Sequence, residues 1–241
     1  MSSFSLQASI QVADNVSDDL RYDPDISGIM GLARSLLTSI VPPTENFLSE
    51  LWKQLDRPVI GVDLRRNASS RFTFGHYTAP DDKEFTWLNA HPKSAYWDFS
   101  LNRTLVQGSW HSLPFTATLD TGTSLMYLPR ALVDRYWASV PGSRMEAWQR
   151  KEKAYMFPCN LTSLPQLAFD LGGGHEIHVP GKMMNYTAVE DSGFCWGGLQ
   201  SEPSFPTDAL LGDVFLHAVH AAFDFGANRV GLASKMGKEK P

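Results

Sequence analysis

Between Leu113 and Leu119 the chain alternates. Leu113, Phe115, Ala117 and Leu119 are apolar, with Pro114, Thr116 and Thr118 between them. This is the period of a strand with one face buried. The same period opens the chain, where Phe4, Leu6, Ala8, Ile10 and Val12 alternate with Ser5, Gln7, Ser9 and Gln11. Further strands are predicted near Val59–Leu64, Arg71–Phe74, Tyr96–Val106, Gln166–Leu171 and His175–Val179, with Gly172-Gly173-Gly174 as a turn. Ala221–Phe225 and Arg229–Ala233 read as a hairpin around Gly226-Ala227-Asn228. Gly28-Ile29-Met30-Gly31-Leu32-Ala33 is small and apolar, which predicts a tightly packed strand or turn in the core.

Helical spacing is rarer. Phe47, Leu48, Leu51, Trp52 and Leu55 share one face of a predicted helix over Thr44–Leu55, capped by Thr44 after Pro42-Pro43. A second helix starts at Pro129 and buries Leu132, Val133, Tyr136 and Trp137. A short one follows Leu210-Leu211-Gly212-Asp213. Residues 13–25 read as a loop, 141–156 as helix or loop, and 78–95 as a polar, turn-rich connecting segment. Many short strands and few helices predict a mostly-β architecture.

The chain has 241 residues, enough for one large or two small domains. Its net charge of −5 comes without clustered Lys and Arg, which argues against nucleic acid as the main partner. The basic stretch Lys235–Lys240 reads as a solvated tail. No apolar run approaches a membrane span. The opening Met1-Ser2-Ser3-Phe4-Ser5 lacks the features of a secretory leader. Yet five Asn-x-Ser/Thr acceptors, at Asn15, Asn67, Asn102, Asn160 and Asn185, point to the secretory pathway. The two cysteines, Cys159 and Cys195, either close one loop or are two buried thiols. A secretory-type chain without a leader is expected to have its true N-terminus further upstream.

The segment with the most chemistry is Thr118-Leu119-Asp120-Thr121-Gly122-Thr123-Ser124. It sets an aspartate at the end of a half-buried strand, followed by a hydroxyl-rich turn centred on glycine. Neighbouring hydroxyls and backbone N–H groups can fix that carboxylate and tune it. Acid–base activation of water by aspartates normally needs two, and the chain has one such turn. His175-Glu176-x-His178 reads as a solvated strand, and His217 and His220, three apart on a short helix, as packing or surface residues rather than ligands, so no metal and no cofactor is expected. Asp98, Asp170, Asp208 and Asp213 lack a following Thr-Gly and read as surface, turn or cap residues.

These residues resemble the pepsin-like (A1) family of aspartic proteases. Asp120–Ser124 looks like the catalytic turn of that family's C-terminal lobe. Leu210–Leu216 resembles the apolar-apolar-Gly strand crossing beneath it, and Phe223–Ala233 the closing hairpin. Cys159 and Cys195 sit where that lobe has its disulfide. Gly28–Ala33 is similar to the core segment near the end of the N-terminal lobe, although Ser27 stands where the family usually has an aspartate. The resemblance implies a fold of two β lobes, with one complete lobe and part of the other in this chain. Residues 1–90 would be the remnant of the N-terminal lobe and the inter-lobe segment, 91–234 the C-terminal catalytic lobe, and 235–241 a disordered tail. The first lobe's own Asp-Thr-Gly and its flap would lie before Met1.

The function implied is an aspartic-type endopeptidase acting on peptide or protein substrates, secreted or vacuolar. Asp120 is the expected catalytic residue. Thr121, Gly122, Thr123, Ser124 and Gly212 support the turn and the substrate. With one aspartate of the pair, the chain is expected to be inactive alone, its missing partner being the N-terminal lobe. Two other readings compete. One is a non-proteolytic relative, a binding scaffold or an enzyme of other chemistry. The other is a symmetric dimer in which two copies of Asp120 meet.

Overall fold

The computed structural model describes residue 6 and residues 10–34, 46–77, 85–147, 153–201 and 207–235. Its first elements are α1 (Asp18–Arg21), α2 (Phe47–Trp52), β1 (Val59–Asp63), β2 (Arg71–Phe74) and β3 (Thr86–Asn89). Then come β4 (Asp98–Val106), β5 (Ser109–Leu119), β6 (Met126–Tyr127), α3 (Arg130–Ala138), β7 (Arg144–Ala147) and β8 (Lys153–Pro158). Next are β9 (Leu167–Gly172), β10 (His175–Val179), a 3-10 turn (Gly181–Met184), β11 (Asn185–Ala188), β12 (Phe194–Gly197) and β13 (Leu199–Gln200). The chain closes with β14 (Ala209–Leu211), α4 (Asp213–Leu216), β15 (Val219–Asp224) and β16 (Arg229–Ser234).

Among the described residues the strands form three sheets. β4 and β5 make the long hairpin of the largest one. Its two-residue turn, Gln107-Gly108, has positive φ at both positions (55° and 71°), the geometry that matches strand twist. The order is β10-β9-β4-β5-β14-β6-β13. β14 runs parallel to β5 and antiparallel to β6, so it threads between the strand that enters the Asp120 turn and the strand that leaves it. A second sheet, β2-β1-β15-β16-β3, joins residues 59–89 to the closing hairpin and so crosses the boundary expected at residue 90. The third is β11-β12-β8-β7.

One hydrophobic cluster links all three sheets, through Ile60, Phe99, Leu119, Phe157 and Phe169 among others. Trp137 of α3 anchors it. The indole is fully buried, stacks on Tyr155 and Phe157, and donates from Nε1 to the Leu199 carbonyl at 2.8 Å. That bond satisfies the one polar atom such burial would otherwise strand.

Several expectations need correction. Ile10 and Val12 lie in no strand and are 88% and 81% exposed; an alternating segment becomes a strand only where a sheet edge accepts it. Phe4 and Ala8 lie outside the described residues. Gly28–Ala33 is not core: Ile29 is 79% exposed, and a Cβ added at Gly28 or Gly31 would meet nothing within 4 Å. Only its end is held, by Trp97 Nε1 donating to the Leu32 carbonyl at 3.0 Å. The first long helix is capped by Asn46, whose side chain accepts from the Ser49 N–H at 2.8 Å. Thr44 lies outside the described residues. Pro129 is the N-cap of α3, one position earlier than expected. The 141–156 region holds β7 and most of β8, and 78–95 holds β3. Lys235 is no tail residue: its N–H donates to the Ala218 carbonyl at 2.9 Å.

Candidate active site

The Asp120 turn is built from its own short-range chemistry. Asp120 Oδ1 accepts the Gly122 N–H at 2.9 Å, an Asx-type turn, and Oδ2 accepts the Thr123 hydroxyl at 2.6 Å. A Cβ on Gly122 would stand 3.2 Å from Asp120 Oδ1, so a side chain there would crowd the carboxylate. Both carboxylate oxygens are thereby held, and the group remains half-exposed. Thr121 and Thr123 are half-buried, and Ser124 is exposed.

The turn is fastened to the strand beneath it. Asp120 N–H donates to the Leu211 carbonyl at 3.2 Å. Asp213 and Val214 N–H groups donate back to the carbonyls of Thr123 (2.8 Å) and Ser124 (3.2 Å). Between these bonds lies Gly212, where a Cβ would come within 2.1 Å of the Thr123 carbonyl oxygen. Only glycine permits that approach.

Asp213, read from the sequence as a surface, turn or cap residue, belongs to this site. It opens α4, and its Oδ1 is buried without a hydrogen-bond partner among the described residues. Burial, followed by the charge of Asp120, pushes its carboxyl up to about 6. Asp213 and Ser124 help line a cavity of about 370 Å³ that also touches Met183, Thr187, Arg66 and His217. The signal that could have found Asp213 is its position directly after the glycine that must pass under the turn.

A sequence model of the eukaryotic aspartyl protease family matches residues 4–235. The chain belongs to that family. Among curated relatives, aspartic protease pepA of Leptosphaeria maculans is 32% identical over 234 residues, covering 93% of this chain and 55% of the relative. Aspergillopepsin-1 of Aspergillus oryzae is 31% identical over 233 residues, covering 94% and 55%. Penicillopepsin-1 of Talaromyces stipitatus is 29% identical over 228 residues, covering 94% and 57%. The chain thus spans about half the length of the curated relatives it matches. Its mostly-β, three-sheet architecture is that of a pepsin-like aspartic protease.

In this chain Thr121, Gly122, Thr123 and Ser124 form the turn that holds the Asp120 carboxylate, and Gly212 lies directly beneath it. Cys159 and Cys195 form a disulfide across a separation of 36 residues, tying the end of β8 to β12. Asn15, Asn67, Asn102 and Asn160 are exposed, and Asn185, at the start of β11, is half-buried. His178 Nε2 lies 3.1 Å from Glu176 Oε2, and among the described residues no group of three or more His, Cys, Asp or Glu could hold a metal ion. Asp170 caps the Gly172 turn, as a turn residue should. Asp98, in contrast, is 6% exposed and accepts from the Ser94 and Thr118 hydroxyls, so it is an internal brace. Among the described residues no helix is long and apolar enough to cross a membrane.

Proposed function

We propose that this chain supplies one half of the catalytic centre of a pepsin-like aspartic endopeptidase, with Asp120 as its catalytic carboxylate. The observation that carries the reading is the double fastening of that carboxylate, by Gly122 N–H and Thr123 Oγ1, on a turn that straddles the Gly212 strand. Such a carboxylate is preorganised to hold a water molecule against a second carboxyl group. Two carboxyls about 3 Å apart share one proton, because both cannot ionise at that distance. The ionised one takes a proton from the water as it attacks the scissile carbonyl. The protonated one gives its proton to the carbonyl oxygen; as the C–N bond breaks, the proton taken from the water passes to the leaving amine and the other carboxylate recovers its own from the tetrahedral hydroxyl.

The mate of Asp120 comes from an N-terminal lobe with its own Asp-Thr-Gly. The sequence given contains no second Asp-Thr-Gly, and its one Asp-Ser-Gly, Asp191-Ser192-Gly193, is an exposed turn between β11 and β12 with positive φ at Asp191 (53°) and Gly193 (70°), not a carboxylate set at the end of a half-buried strand. Asp213 does not take that part; its partly buried carboxyl is pushed up by burial and then by the charge of Asp120. The substrate is a peptide or protein, and the 241-residue chain alone is an inactive half. Residues 91–234 supply most of the catalytic lobe. Five glycosylation acceptors and a disulfide support a secretory or vacuolar location.

The presence of one such turn also supports a second reading, a non-proteolytic member of the family that binds ligands without cleaving them. The two are separated by expressing the protein together with its upstream coding sequence and assaying peptide hydrolysis at acid pH. The proteolytic reading predicts turnover that Asp120→Asn lowers by at least about 10³-fold. Ligand binding with no turnover overturns it.

A further inference from the structure

Beside the cavity at Asp213 and Ser124 lies a second one of about 740 Å³, and Arg66, Met183 and His217 line both. The second is unusual in charge. Arg65, Arg66, Lys182 and Lys235 face a single carboxylate, Asp63, in a chain whose net charge is −5.

Part of that positive charge is already committed. Asp63 Oδ2 accepts from Arg65 Nε at 2.8 Å, and Asp63 Oδ1 lies 2.9 Å from Lys235 Nζ and 3.8 Å from His220 Nδ1. Lys235 Nζ also donates to the Leu64 and Leu216 carbonyls. Arg66 and Lys182 are different: among the described residues neither forms an ion pair. Arg66 Nη2 donates to the Tyr186 carbonyl at 2.7 Å and Nη1 to the Lys182 carbonyl at 3.5 Å, which gathers both cations at one rim without neutralising either. Both side chains are exposed, so an anion can reach them. His217 registers the resulting field. Burial lowers its pKa first, and the charges of Lys235 and Arg66 lower it further.

We propose that this second cavity binds the carboxylate of an acidic side chain on a peptide lying across the Asp120 turn, with Arg66 and Lys182 as its ligands. The inference rests on the peptide-substrate reading. Ser124 of the Asp120 turn lines the first cavity together with Arg66, Met183 and His217, so a peptide entering that cavity from the turn meets residues that also line the second. An extended chain advances about 3.3 Å per residue, so neighbouring residues of one peptide can address the two adjoining cavities. A guanidinium fork suits a carboxylate, and an ammonium beside it adds a point charge. Inorganic phosphate offers related chemistry and serves as the contrasting probe.

The test is an NMR titration of the 241-residue chain following the His217 imidazole. The probes are a hexapeptide carrying one glutamate, its glutamine counterpart, and inorganic phosphate. The glutamate peptide is expected to raise the His217 titration midpoint and to bind about three- to tenfold tighter than the glutamine peptide. Lys182→Gln and Arg66→Gln, both at exposed positions, are each expected to remove most of that preference while leaving the remaining spectrum folded. Equal binding of the two peptides overturns the anion site and leaves the peptide reading standing. A His217 shift with phosphate and binding of neither peptide overturns the peptide assignment. No response to any probe overturns the site itself.

Discussion

Gly212 passes beneath Thr123 so closely that a Cβ on it would stand 2.1 Å from the Thr123 carbonyl oxygen and 2.4 Å from that of Leu125. Both obstacles are backbone, and both belong to the turn that presents Asp120. Neither can swing aside as a side chain would. Gly212→Ala is therefore expected to cost about 3 kcal/mol or more, measured by urea unfolding. Gly28→Ala is the matched control, because its Cβ would enter open space. It should change stability by no more than about 0.5 kcal/mol.

Thr123 Oγ1 donates to Asp120 Oδ2 at 2.6 Å. Thr123→Val keeps the shape of the side chain and removes the donor. Water reaches the half-exposed carboxylate and takes up part of the loss, so the expected cost is about 1 kcal/mol. Thr123→Ser retains the hydroxyl and should restore most of it. Equal unfolding midpoints for the valine and serine variants would contradict this role.

Asp213 sets a pH dependence with a definite sign. Its carboxyl is raised from 3.8 to about 6, by burial first and then by Asp120. Between those values the folded chain holds more protons than the unfolded one. Stability therefore falls as pH rises from about 4 to about 6. Because the group is only partly buried, the loss is of order 1 kcal/mol. Asp213→Asn should flatten that slope in unfolding measurements across this range. A slope unchanged in the variant would assign it to another group.

In the lining of the second cavity, Asp63 and Lys235 pair at 2.9 Å with side chains 7% and 13% exposed. Burial alone would raise the Asp63 carboxyl. Hydrogen bonds from Arg65 and Lys235 and the charges of Lys235 and His220 outweigh it, and the net direction is down. This stability is present above the ordinary carboxylate range and is lost as pH falls through the lowered value. Asp63→Asn leaves the ammonium without its counter-charge and is expected to cost about 2–3 kcal/mol. The double variant Asp63→Asn, Lys235→Met should recover part of that loss, read as a non-additive double-mutant cycle.

The parts of the fold legible in the sequence were those whose pattern and environment agree. Strand β5 alternates and lies with one face on the core, and β15–β16 close around a turn-forming Gly226-Ala227-Asn228. Strand β7 was hidden because Arg144-Met145-Glu146-Ala147 does not advertise burial, and β8 because its apolar residues 154–157 directly follow the charged residues 150–153. Arg144 pairs with its neighbour Glu146, and its guanidinium lies 3.8 Å from the Phe194 ring centre, so part of what holds this charged segment in the sheet is a contact far away in sequence. The opposite error occurred at Ile29 and Met30, where apolar residues promised a core that the described structure does not place over them. In the site, Asp120, Thr123 and Gly212 were legible because turn chemistry is local. Asp213 was not, because its importance comes from burial and from the charge across the crossing strand.

The account rests on Asp120 being one of two carboxyl groups, the other brought by a separate lobe. A fluorogenic peptide assay of the 241-residue chain between pH 3 and 5, run beside Asp120→Asn, tests this most directly. No turnover above that of the variant is expected. Turnover by the chain that Asp120→Asn abolishes would contradict it, since one fastened carboxylate would then suffice.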